Sequence, residues 1–395
     1  MAPSRVDLSD AEVVDDHCHA FRLPELLERD PQGFEARLTL MGMCAMSSAR
    51  PHPAVWARAE ELVDSTVYSL VARRWLAERL HCDPTAEAVT EARTAALRAD
   101  GVDFIRSLLD DQRVTGLVTD EGFPLPPIPS ATFERDVGGV PVHRVVRIEP
   151  LIVELRDQAG SYGELEDRFV EELERAARDA RTVAFKSIIA YRTGLDVEPV
   201  DRESASAAFD RWRVAGWSET RDSAKPVRDR LLDRTLAVAR RTDRVMHIHC
   251  GDGDPDIVLA RARPHDLFPF LRDHPDQAIV LIHGGHPWTQ VAAYIASLLP
   301  NVYVDLSVLC PWATSAIEPA LEQLLGMVPA AKLLYGSDQA SEPEVFWISA
   351  RLARAATERV LSGLVERDYL TARQADAMGR GILGGNTQRL HGLAG

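Results

Sequence analysis

The nine residues VVDDHCHAF, 13–21, decide how this chain is read. A β-branched pair runs into two carboxylates, and two histidines then stand one residue apart. Side chains alternate across a strand, so residues i and i+2 share a face. The spacing predicts His17 and His19 on one face of a strand end, with Cys18 on the other. Two imidazoles a pleat apart can grip one metal ion. A single His-x-His pair is a weak signal, so its weight depends on what ends the other strands.

Working outward, seven further short apolar runs are bounded by turn residues: 113–120, 142–149, 182–189, 244–251, 278–285, 301–307 and 332–338. Helix-period segments separate most of them, clearest at 162–181, 227–241 and 288–299. Strand and helix in alternation imply a parallel sheet, because parallel neighbours need a crossover. Eight units predict an α/β fold of the distorted (β/α)8 TIM-barrel type. A doubly wound open sheet is the alternative, weakened by the absence of a GxGxxG or GxxxxGK[ST] loop. The first crossover is far too long. Residues 20–112 read as helices, clearest at 54–80 and 86–109, and are expected to form an insertion serving as a lid or dimer contact. A separate small domain is the other reading. The expectation is one barrel domain over 1–395.

Barrel active sites sit at the C-terminal strand ends. The first strand ends in His17 and His19, the fourth in Lys186, the fifth in His247, His249 and Asp252. The sixth ends in His283 with His286 just beyond, the seventh in Asp305 and Ser307, the eighth in Asp338. Imidazole and carboxylate donors at one end of a barrel suit a divalent metal, zinc first and manganese second, with one or two ions. Lysine occurs only at 186, 225 and 332, so Lys186 at a strand end stands out. Arg192 and Arg22 could each clamp a substrate carboxylate bidentately. Trp288 and Trp312 could line a pocket, and Asp305 and Ser307 could orient ligands from behind.

The blocks DDHCHAF, AFKSIIAYRTGL, HIHCGDGD, LIHGGHPW, NVYVDLS, LLYGSDQASEPE and ILGGNTQRLHGL together resemble the amidohydrolase superfamily. The resemblance is to its amidohydrolase-2 (amidohydrolase-related) branch, and within it the FluG and nodulin-like group. It implies a metal centre with His17, His19, His249 and Asp338 as ligands. It also implies Asp338 as proton acceptor, and His283 as a second-metal ligand or general acid/base that stabilises an oxyanion when protonated. Lys186 is then either a carbamylated bridge between two metals or a cation near the substrate. His286 is either a substrate contact or a loop histidine, and His247 a packed core residue. The implied reaction is hydrolysis of a C–N bond, an amide or γ-glutamyl-type amide of a small carboxylate-bearing substrate. Decarboxylase or lactonase chemistry is the alternative within the branch, and a non-catalytic metal-binding barrel the alternative outside it. The habits of the family suggest a homodimer.

Composition narrows the partners. The 395 residues carry a formal net charge of -15 and show no basic block, which argues against nucleic acid and anionic membrane. The N-terminal stretch lacks the apolar run of a signal peptide, and no segment reads as a membrane span. Five scattered cysteines without a CxxC fit a reducing cytoplasm better than a disulfide framework.

Overall fold

The computed structural model describes residues 5–47 and 53–393. Eight parallel strands form one sheet in sequence order. They are β1 (Val13–Cys18), β2 (Val114–Asp120), β3 (Val142–Arg147), β4 (Thr182–Ser187), β5 (Val245–His249), β6 (Ile279–Ile282), β7 (Val302–Asp305) and β8 (Leu333–Leu334). Three backbone hydrogen bonds join the segment after β8 to β1: Asp16 N to Tyr335 O, Asp338 N to His17 O, and His19 N to Gln339 O, at 2.7–2.8 Å. They nearly close the sheet into the expected (β/α)8 barrel. All eight expected strands are present. The eighth is cut to two residues because the chain beyond Leu334 turns across the barrel rim, where Asp338 has φ 52°.

Two apolar layers hold the barrel. Val118, Val145, Ala184, Val245, Val280, Ile282 and Leu334 pack together, with Leu390 and Leu393 against them. The much larger outer core lies between strands and helices, and includes Leu117, Phe185, Met246, Leu281 and Val304. Strands covered on both faces read as near-continuous apolar runs, which is why the sequence displays them plainly.

The residues between β1 and β2 are helical, as expected: Leu23–Glu28, Phe34–Leu38, Leu40–Ser47, Pro53–Leu62, Val67–Leu80, Ala86–Ala99 and Gly101–Asp111. Residues 48–52 of that stretch lie outside the described residues. Thr85 and Asp100 cap the last two helices, accepting from Ala88 N and Asp103 N. The final helix returns the chain to β2 by burying Phe104, Ile105, Leu108 and Leu109 along one stripe. Among the described residues, no helix is long and apolar enough to cross a membrane.

One local departure from regular strand geometry matters for the site. The β1–β2 register jumps between Asp15 and Cys18, where three steps on β1 face two on β2. Such a bulge breaks alternation and re-aims side chains. Asp16 and His17 therefore both point inward: His17 reaches Lys186 on β4, and Asp16 lies beside His247 on β5. Lys186 and His247 are register partners and so share the inner face.

Candidate metal centre

At the C-terminal rim, His17 Nε2 lies 3.2 Å and His19 Nε2 3.5 Å from Asp338 Oδ1. The three side chains offer ligand atoms that all lie within 4.8 Å of one another. Zinc holds nitrogen and oxygen donors at about 2.0–2.2 Å, which puts two donors of a tetrahedron about 3.3–3.5 Å apart. The trio fits a divalent cation of that size. Burial, then the neighbouring Lys186 charge, holds the His17 pKa well below its usual value, which favours the neutral imidazole a metal ligand needs.

Lys186 Nζ is 3.0 Å from His17 Nε2 and 3.8 Å from Asp120 Oδ2, with almost no solvent exposure. Burial lowers its pKa, and Asp120 works in the opposite direction. Burial would push Asp120 up, but the Arg147 guanidinium and then Lys186 hold its carboxyl well below the usual range. Arg147 clamps Asp120 at 2.6 and 3.1 Å.

His249, expected as a ligand, stands outside the trio. Its Nδ1 is 3.0 Å from His283 Nε2, while its Nε2 is buried without a hydrogen-bond partner. His283 in turn is held from behind. Its Nδ1 is 3.0 Å from Ser307 Oγ, Asp305 accepts from the His283 backbone N–H at 3.2 Å, and the Ser307 hydroxyl also bonds Asp305. The Asp305 and Ser307 expectation therefore has a specific geometry. Burial, followed by His249 and Lys186, presses the His283 pKa well below its usual value. Both ring nitrogens are engaged, and the lowered pKa favours the neutral form over the expected imidazolium.

The trio opens into a cavity of about 250 Å³ whose lining includes Arg147, Lys186, Tyr191, Arg192, His249, Asp252, Asp254 and His283. Leu40, Met43 and Cys44 of the helical segment between β1 and β2 line it as well. That segment is tied to the strand-8 loop by buried ion pairs. Arg29 and Arg37 reach Glu342 Oε1 at 2.8 and 2.5 Å, and Arg93 bridges Glu342 and Glu344 at 2.6 Å each.

Of the other expected contacts, Arg192 lines the cavity. Arg22 does not line it; its guanidinium bonds Pro126 O at 2.5 Å and Glu25 at 3.1 Å, so the residue faces away. His286 and Trp288 line a neighbouring cavity instead. His286 touches the main one only through Asp252, which its Nδ1 meets at 2.9 Å. The turn that separates them needs Gly251 (φ 90°), where a Cβ would meet the His286 carbonyl at 2.2 Å. Asp120 and Arg147 were missed in the sequence although both end strands. The strand-end rule applied to the second and third strands would have found them. The participation of Leu40, Met43 and Cys44 carried no sequence signal.

A parallel barrel thus brings two imidazoles and a carboxylate that could hold a metal ion together with a buried lysine at its C-terminal face. The amidohydrolase family profile matches residues 157–393, more than half of the chain, and the chain belongs to that family. It is 36% identical over 228 residues to protein fluG of Emericella nidulans, covering 55% of this chain and 26% of that protein. The match thus spans about a quarter of that relative's length. Among solved structures, a protein from Lactobacillus casei named as a metal-dependent hydrolase superposes with a TM-score of 0.80 at 23% identity, covering 98% of both chains. A uronate isomerase from Thermotoga maritima follows with a TM-score of 0.71 at 18% identity, covering 97% of this chain and 95% of that one. A glucuronate isomerase from Caulobacter crescentus gives 0.68 at 15% identity, covering 98% and 92%. At these identities the likeness is one of fold.

Proposed function

We propose that this chain is a metal-dependent hydrolase that cleaves a C–N bond, an amide or γ-glutamyl-type amide, of a small carboxylate-bearing substrate. The observation that carries the reading is the convergence of His17 Nε2, His19 Nε2 and Asp338 Oδ1 at the floor of a cavity that also presents Arg192. A divalent ion there, zinc first and manganese second, would polarise a carbonyl and make a bound water acidic near neutral pH.

The chain's own groups supply the rest. Asp338 accepts the proton of the attacking water and passes it to the leaving amine. Arg192 receives the substrate carboxylate in a bidentate pair. His283, neutral and fixed by Ser307, holds His249 through the 3.0 Å contact and so sets the imidazole face that meets the substrate. Arg147 keeps Asp120 ionised, and Asp120 in turn offsets the Lys186 charge next to His17. Leu40, Met43 and Cys44 add apolar surface beside the polar groups of the cavity, which strengthens nearby charge interactions.

The test is metal content by plasma mass spectrometry, followed by assay on amides and γ-glutamyl amides before and after chelation. Amine release that a chelator abolishes and added zinc or manganese restores supports the proposal. Conversion of uronates without any amine release would replace it with sugar-acid isomerisation, the activity in the names of two structural neighbours.

A further inference from the structure

A second group of possible ligands lies among wholly buried side chains. Asp16 on β1, His247 on β5 and His391 on the terminal helix Asn386–His391 bring ligand atoms within 4.8 Å of one another. All three side chains have 0% exposure. Within the group, His391 Nε2 and Asp16 Oδ1 are hydrogen-bonded at 2.9 Å. The His247 Nε2 atom lies 4.0 Å from Asp16 Oδ2, too far for a hydrogen bond.

What is left over is informative. Both ring nitrogens of His247, Asp16 Oδ2 and His391 Nδ1 are buried without hydrogen-bond partners. A neutral imidazole always carries one N–H and one lone pair, and native interiors seldom leave such groups unanswered. The Asp16–His391 bond explains an anchored helix, but it does not explain a polar His247 in the inner layer of a barrel. The separations do have a common explanation. Nitrogen and oxygen donors around a tetrahedral zinc stand about 3.3–3.5 Å apart, and the observed 2.9 and 4.0 Å bracket that distance. Thr387, one helical turn before His391, also lies against the Asp16 carboxylate.

We infer that Asp16, His247 and His391 form a second metal site, taking a borderline-soft dication such as zinc, separate from the His17–His19–Asp338 centre. Two imidazoles and one carboxylate are the donor set, and they come from β1, β5 and the last helix. An ion there ties the C-terminal helix to two strands far apart in sequence. It enters as that helix docks during folding, because the closed site has no solvent-exposed side-chain surface.

The experiment separates this site from the first centre by working where the first is disabled. The His19→Ala/Asp338→Asn double variant is unfolded in chelator, refolded with zinc, desalted and weighed for metal per chain. One zinc per chain is expected, with a melting temperature above that of the same protein refolded without zinc. Adding His391→Gln should remove both the ion and the thermal gain. Circular dichroism on each sample establishes that it has refolded. No zinc in the refolded double variant, or zinc unchanged by His391→Gln, would overturn the inference. The readout uses no activity, so it stands or falls apart from the hydrolase proposal.

Discussion

Asp338 holds its carboxylate against His17 and His19 from a backbone in the left-handed region, as do His283 (φ 70°) and Val308 (φ 67°) on the same rim. Each such non-glycine residue costs about 1–3 kcal/mol, which the fold sustains where a site requires the geometry. Asparagine tolerates that backbone well. Asp338→Asn should therefore leave the melting temperature within a few degrees while turnover falls roughly 10²- to 10⁴-fold, the range for losing a positioned proton acceptor. Near-normal turnover would remove Asp338 from the mechanism. His286 offers a test of a different kind. Its hydrogen bond with Asp252 raises its pKa above 6.5, against the opposing effect of burial. A raised folded-state pKa adds stability that is complete below the unfolded value and is lost as pH rises through the folded value. The stability gap between the wild type and His286→Gln should be largest near pH 5.5 and close by pH 8.5, read from urea midpoints across that range. A gap that does not change with pH would mean that the pair makes no use of the imidazolium.

At the scale of elements, the helical segment after β1 is fastened to the strand-8 loop by Arg29, Arg37 and Arg93 on Glu342 and Glu344. Both glutamates are fully buried, and the Arg93 guanidinium also stacks 4.6 Å from the Phe34 ring. Removing one partner of such a cluster strands charges in a dry interior. Arg93→Met should cost about 3–5 kcal/mol in urea unfolding. Replacing Glu342 and Glu344 by glutamine in the same protein should recover part of it. A loss below about 1 kcal/mol would show that water reaches the cluster. The same loop carries Asp338, four residues before Glu342, so the fastening also fixes the edge of the candidate centre. The turn after β5 is tighter still. Gly251→Ala would drive a methyl group into the His286 carbonyl from a left-handed backbone, and should lower stability more than alanine does at Gly139, where nothing lies within 4 Å.

Across the whole molecule, the first strand and the last described helix meet at one place. β1 completes the barrel against residues 335–339, and Leu390 and Leu393 pack on its inner apolar layer. Asn386 fastens the last helix by donating to Ala330 O and Leu333 O at 2.8 Å each. Ending the chain at residue 385 should lower the melting temperature by about 10 °C or more. Two leucines and two buried hydrogen bonds contribute on the order of 5 kcal/mol, at a few degrees per kcal/mol. An unchanged melting temperature would mean that the helix is dispensable for closure.

Strand number, parallel order and the polar rim were legible in the sequence for one reason. Strands buried on both faces must be continuously apolar, so a histidine, lysine or aspartate at their ends stands out against them. His17, His19, Lys186, His249, His283 and Asp338 were found in this way, and all six line one cavity. Three features were decided only by the tertiary structure. The bulge in β1 turns Asp16 inward beside His17, which strict alternation forbids, because register is set by the partner strand and not by the strand's own residues. Arg22 and Trp288, near the motifs in sequence, point elsewhere, because loop direction depends on what the loop packs against. The approach of Met43 and Cys44 to the centre, and of His391 to Asp16, joins residues far apart in the chain. Local pattern encodes which face a residue shows, but only the closed barrel determines which faces meet.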